Sequence, residues 1–176
     1  AVVRENLVKN LNLTNPSAAA VKAVLLHTAD DLFPGQFGSV GKAQGQELLS
    51  PAPNPHEGFG RVNMDRATAN SYQVYDEVVG LSNGETKTFT IDTAGRSHVK
   101  LTLVYMDPPA LASAAKTLVN DLSLQVLKGG EALESNDTTN NFEVAHINLN
   151  GENSIEVSVI GSRIINGPQP YALVVE

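Results

Sequence analysis

The sequence predicts a mainly β protein, an antiparallel, jelly-roll-like β-sandwich preceded by a helical segment. Three observations lead there. Apolar residues recur at helical spacing in the first part of the chain and at every second position in several later stretches. Turn dipeptides punctuate the later part at short intervals. The acidic excess lies wholly in that part: residues 1–70 hold six Lys/Arg and six Asp/Glu, whereas residues 71–176 hold six and thirteen, which accounts for the net charge of −7. Two differently built regions, 1–70 and 71–176, are therefore expected.

In the first region Val3, Leu7 and Leu11 recur every fourth residue, which predicts a helix over residues 1–11. Asn15-Pro16 gives a start signal for a second helix, because asparagine caps free amides and proline suits the first helical position. Val21, Val24 and Leu25 define its buried face up to about Ala29. Residues 30–57, rich in Gly, Pro, Gln and Ser, read as a long surface excursion, and residues 63–70 as one more short helix. The apolar stripes of the first two helices need a partner. That partner is either the sandwich or a second chain, in a homo-oligomer formed through residues 1–70, with the sandwich from about Tyr72 onward as the stable unit.

In the second region Phe89 and Ile91 alternate with Thr88 and Thr90. Val99, Leu101, Leu103 and Tyr105 alternate with Lys100 and Thr102, and Ile155, Val157 and Val159 alternate with Glu156 and Ser158. Each run predicts a half-buried strand. Turns are signalled at Asn83-Gly84, Ala94-Gly95, Gly129-Gly130, Asn150-Gly151 and Asn166-Gly167-Pro168, so seven or eight strands are expected between Tyr72 and Glu176.

Composition narrows the function. With 41% hydrophobic residues the chain can bury a core, and with no cysteine it has neither disulfides nor thiolate metal sites. Its negative charge argues against a nucleic-acid partner, which needs a basic face. No apolar run approaches the ~20 residues that span a bilayer, so no membrane role is expected. The start shows neither an initiator methionine nor a signal peptide, and the chain reads as a processed segment.

Catalytic signatures are missing. There is no Gly-x-Ser-x-Gly elbow; Gly38-Ser39 lacks the second glycine and reads as a flexible turn. His56-Glu57 begins like a zinc-protease helix, but Gly60 stands where the second histidine belongs. The glycines from Gly35 to Gly41 follow no strand and give no phosphate loop. His27 falls at a helix end, where a positive charge is favourable, and His98 and His146 lie in separate strands. Oxygen ligands are better supplied: Asp107, Asn120, Asp121, Asn136, Asp137, Asn140, Asn141 and Glu143 are candidates for calcium, with Asp121 and Asp137 the first choices. Asp121 and Ser123, on the face opposite Leu122, Leu124 and Val126, should both be accessible. Asn and Asp also form turns, and solvated turns are the alternative.

Several stretches in order resemble the end of a subtilisin-family serine protease of the group with a C-terminal β-barrel-like domain, as in oxidatively stable alkaline proteases. AVVRENLVKNL at 1–11 resembles the tail of the helix that begins with the family's Gly-Thr-Ser-Met-Ala serine motif, which is itself absent here. NPSAAAVKAVLLHTA at 15–29 is similar to the helix packed beside it, and GFGRVNMDRA at 58–67 to the segment that closes the catalytic domain. VKLTLVYMDPP at 99–109, TLVNDLSLQV at 117–126, NNFEVAHI at 140–147 and GPQPYALVV at 167–175 resemble successive parts of the accessory sandwich. Ser123 stands where relatives often carry an aspartate.

The resemblance implies that residues 1–70 are the closing helices of an incomplete α/β catalytic domain and residues 71–176 an accessory sandwich. It further implies an upstream catalytic domain as partner, protein substrates reached through the parent enzyme, and secretion. The chain itself lacks the Asp/His/Ser triad and is expected to be inactive alone. The competing reading is a jelly-roll module that binds carbohydrate or protein. Against it, aromatic residues are only 5% and tryptophan is absent, a poor supply of stacking platforms for sugar rings.

Overall fold

Eight strands and three short helices make up the computed structural model, which describes residues 1–35, 40–41 and 47–176. The Gly38-Ser39 turn lies outside the described residues. Helix α1 spans Val2–Lys9, α2 Ala18–His27 and α3 Met64–Ala67. The strands are β1 (Gln73–Leu81), β2 (Thr86–Asp92), β3 (His98–Tyr105), β4 (Asp121–Lys128), β5 (Glu131–Ser135), β6 (Phe142–Asn148), β7 (Ser154–Arg163) and β8 (Gln169–Val175). They form two antiparallel sheets, ordered β1-β8-β3-β6 and β2-β7-β4-β5, which is the strand order of a jelly roll.

The inner faces follow the alternation in the sequence. Val99, Leu101, Leu103 and Tyr105 of β3 meet Leu122, Leu124 and Val126 of β4, Ile155, Val157 and Val159 of β7, and Tyr171, Leu173 and Val175 of β8. Each large side chain fully buried there stabilises the fold by about 1.5–3 kcal/mol relative to exposure.

A second apolar layer lies outside the first sheet. Val3 and Leu7 of α1 and Ala19, Ala20, Ala23 and Val24 of α2 cluster with Val104, Ala172 and Val174, the outward residues of β3 and β8. Helix α2 is built for close approach, because its alanines bring the backbone near the sheet. Of the residues expected to form the helical stripes, Val3, Leu7 and Val24 are buried in this layer, whereas Leu11, Val21 and Leu25 are only partly buried against it, because alanines form much of the α2 contact.

Helix α2 starts later than Asn15-Pro16 suggests. Ser17 is the cap: its Oγ accepts from Ala20 N at 3.0 Å and donates to Asp76 Oδ1 of β1 at 2.6 Å. Asn15 instead accepts from Arg4 Nη2 at 2.6 Å. The true cap thus also ties the helix to the sheet edge.

Two glycines hold close backbone contacts. At Gly60 a Cβ would stand 2.1 Å from the Asp30 carbonyl oxygen, in the segment that bridges Asp30 to Arg61. At Gly80, in the irregular end of β1, it would stand 2.3 Å from the Gln169 carbonyl carbon. Both glycines have positive φ, so a side chain at either position is excluded twice over.

Candidate functional site

Two places gather chemistry-bearing side chains: the interface between α2 and the sheet, and the end of the sandwich where β4 and β6 begin.

At the interface His27 is completely buried, its Nδ1 2.9 Å from Thr102 Oγ1 and its Nε2 3.7 Å from Glu176 Oε2. A hydroxyl, an imidazole and a carboxylate in sequence have the outline of an activated nucleophile. The surroundings prevent that role. Thr102 is also fully buried, so no substrate reaches the hydroxyl. Burial holds the His27 pKa down to about 3, with the Lys100 cation adding to the effect against the opposing pull of Glu176. The sequence placed a favourable positive charge on His27 at its helix end. The imidazole is instead neutral, because desolvation outweighs the helix dipole. Lys100 Nζ donates to the His27 carbonyl at 2.6 Å, and so binds the end of α2 where a cationic histidine was expected.

Glu176 accepts from Arg66 Nη2 at 3.1 Å and Ser71 Oγ at 2.7 Å. Arg66 follows the Asn63 cap of α3, and Asn63 Nδ2 donates to Asp30 at 3.0 Å. The conclusion is structural: this network fastens residues 27–30 and 61–71 to the sheet.

The opposite arrangement holds at the acidic end. Glu143 is only 1% exposed, and its carboxylate accepts from Ser135 Oγ and Asp137 N, each at 2.7 Å. Burial raises its pKa to about 7, the two hydrogen bonds opposing the shift and the Asp137 and Asp121 charges adding to it. Asp121 is 6% exposed and its Oδ1 has no hydrogen-bond partner; burial raises its pKa as well. Asp137 goes the other way. Burial alone would raise it, but donation from the Asn140 side chain and from the Thr139 and Asn140 amides lowers it.

The candidate oxygen ligands are thus near one another electrostatically, but largely committed to the protein. Asp107 caps Val119 N at 2.8 Å and Asn120 N at 2.7 Å. Asn120 is a fully engaged clamp. Its Nδ2 donates to Asn166 O and Gln169 Oε1, and its Oδ1 accepts from Ile165 N and Asn166 N. Asn141 Oδ1 accepts from Lys22 Nζ at 2.9 Å. Asn136 and Asn140 are exposed on the loop between β5 and β6.

Asp121 and Ser123 do not face solvent as the alternation suggests. A register irregularity interrupts the pairing of β4 with β7 between them, and Ser123 Oγ lies 2.6 Å from Ser162 Oγ with 1% of the residue exposed. Calcium needs 6–8 oxygen ligands, and no group of three or more acidic or histidine side chains among the described residues is placed to hold a metal.

Two adjoining clefts flank β6 on its helical side. One, of about 270 Å³, is lined by Leu26, Asp31, Phe59, Lys100 and His146 among others. Its neighbour, of about 420 Å³, is lined by Pro53, Pro55, Phe59, Asp137, Asn140 and Phe142 among others. Phe59 stacks edge-on against Phe142 with ring centres 4.8 Å apart, so the two clefts share an aromatic wall. No helix among the described residues is long and apolar enough to cross a membrane.

No family model matches the chain. It is similar to the serine protease/ABC transporter B family protein tagA of Dictyostelium discoideum, with 25% identity over 187 aligned positions, covering 91% of this chain and 10% of that protein. The chain therefore spans about a tenth of the length of this relative. Among solved structures it is similar to a protein from Sulfurospirillum deleyianum, with 5% identity and a TM-score of 0.41 over 60% of this chain and 96% of that one. A further similarity is to the P-domain of Penaeus vannamei nodavirus, at 14% identity and a TM-score of 0.33, covering 59% of this chain and 94% of that one.

Proposed function

We propose that this chain is the non-catalytic C-terminal part of a secreted subtilisin-family serine endopeptidase. Residues 1–70 are the closing helices of its catalytic domain, and residues 71–176 an accessory sandwich that supports them. The observation that carries this reading is the interface of α2 with β3 and β8. The stretch that resembles the helix beside the family's serine helix is the one laid on the outer face of the sandwich, through Ala20, Ala23, Val24 and the buried His27–Thr102 contact. A sandwich so attached restrains the catalytic domain through an element of that domain. The similarity along most of the chain to a protein named as a serine protease supports the same reading.

Catalysis in this proposal belongs to the upstream domain. The chain has no serine motif, and its one hydroxyl–imidazole contact among the described residues is sealed from solvent. An active-site-directed fluorophosphonate should leave the chain unlabelled and should label the full product of the same gene at a serine upstream of Ala1. A reading frame without an Asp, a His and a Gly-Thr-Ser-Met-Ala motif in that order before Ala1 would overturn the assignment. So would stoichiometric labelling of this chain that one Ser→Ala change removes.

A further inference from the structure

Two asparagines differ from those that serve as clamps. Asn12-Leu13-Thr14 and Asn136-Asp137-Thr138 both have the Asn-x-Ser/Thr pattern with a residue other than proline in the middle. Asn15-Pro16-Ser17 has the pattern's ends but is excluded by its proline. Asn12 and Asn136 are exposed, as are Thr14 and Thr138, and none of the four side chains makes a hydrogen bond among the described residues. By contrast Asn6, Asn54, Asn63, Asn83 and Asn120 are all held by hydrogen bonds. Both triplets lie in irregular backbone, one between α1 and α2 and the other between β5 and β6.

We infer that Asn12 and Asn136 are acceptor sites for N-linked glycans, a modification available to a chain that enters the secretory pathway. This inference rests on the secreted character proposed above. In the transfer, the Asn Nδ2 attacks the anomeric carbon of a lipid-pyrophosphate-linked oligosaccharide. A carbon–nitrogen bond forms, the bond from that carbon to the phosphate oxygen breaks, the lipid pyrophosphate leaves with the electron pair, and the amide gives up one proton.

The placement gives the sugars a physical task. The first triplet borders a cavity of about 400 Å³ that also touches Asp76 and Val78 of β1, an outermost strand with Val78 and Val79 exposed. Asn136 follows directly on β5, the outermost strand of the other sheet, and leads into β6, the remaining edge of the first. Exposed edges invite pairing with another chain. Glycans at these positions crowd three of the four edges, and the fourth, β2, carries Lys87 in an ion pair with Glu77.

The test is translation of the full chain, behind a cleavable secretory leader, into eukaryotic microsomes, scoring only the chains that resist added protease and so have entered the lumen. Treatment with a peptide amidase in heavy-oxygen water then marks each glycosylated Asn as a labelled Asp. Marking at Asn12 and Asn136, with one mobility step lost in each of N12Q and T138A and both lost in their combination, is the expected result. Lumenal chain unmodified at both positions would overturn the inference. Because entry is forced by the added leader, that outcome leaves the protease reading to the separate probe experiment.

Discussion

The sheet β1-β8-β3-β6 is covered on both faces, by the second sheet inside and by α1 and α2 outside, whereas β2-β7-β4-β5 has its core on one face. The strands record the difference. In β8 the run from Tyr171 to Val175 is buried without interruption, and in β3 everything from Leu101 to Tyr105 is buried. In β7 buried Ile155, Val157 and Val159 alternate with less buried Glu156, Ser158 and Ile160. A continuous apolar run marks a strand with something on each side, and strict alternation marks a strand with one wet face.

The comparison breaks most directly when a charge is set on each outer face. Ala172→Asp places a carboxylate under α2 and should destabilise the chain by about 3–5 kcal/mol, the range for an uncompensated buried charge. Thr88→Asp, on the exposed face of β2, should stay within about 0.5–1 kcal/mol. Urea denaturation of the two variants measures the difference. Equal losses would mean that the helices do not cover the sheet in solution.

Two buried titratable groups at the covered sheet, His27 and Glu143, sharpen it further, since they respond to pH with opposite sign. His27, lowered from 6.5 to about 3, is neutral in the fold while the unfolded chain takes up a proton. Its contribution is lost as pH falls through that window, on the order of 5 kcal/mol in all. Glu143, raised from 4.5 to about 7, keeps its proton in the fold while the unfolded chain releases it. Stability is then lost as pH rises from 4.5 to 7, on the order of 3 kcal/mol. Between about pH 4.5 and 6.5 the two slopes cancel. Glu143→Gln should expose a rise of about 1.4 kcal/mol per pH unit in that interval, and His27→Leu a fall of similar size. Denaturation midpoints measured across the interval check both slopes. A variant curve parallel to that of the parent would remove its residue from this account.

The smallest effect concerns cations. With the carboxylates of Asp107, Asp137 and Glu143 taken up by hydrogen bonds, millimolar calcium should move the melting temperature by no more than about 1 °C. A larger rise that Asp121→Ala or Asp137→Ala abolishes would show that the 136–141 loop rearranges to complete a cage.

Much of this architecture was legible. The alternating residues of β2, β3 and β7 name their own inner faces, and the spacing of Val3 and Leu7 locates the buried side of α1. Which strands are neighbours was not legible, because β1 pairs with β8 across almost the whole second region and no local pattern specifies that partner. The cap of α2 was misread because Asn15 and Ser17 are both good caps. The choice was made by Asp76 and Arg4, both distant in sequence. At the acidic end the composition located the carboxylates but not their burial. Alternation places Asp121 and Ser123 outside, and only the register irregularity, a property of the paired strands, shows otherwise.

The central position of β8 has a consequence for how the protein is made. Chains emerge from the ribosome with the N-terminal end first, and β8 appears after the other seven strands of the sandwich, although β1 and β3 both hydrogen-bond to it. Until residues 169–175 are available, β1 has no neighbour and α2 lacks Ala172 and Val174 beneath it. The nascent helices wait with their apolar stripes in water, a contact order that slows folding and invites chaperones. A transcript cut short before Gln169 therefore yields a product missing the middle of a sheet, which proteases can recognise and remove.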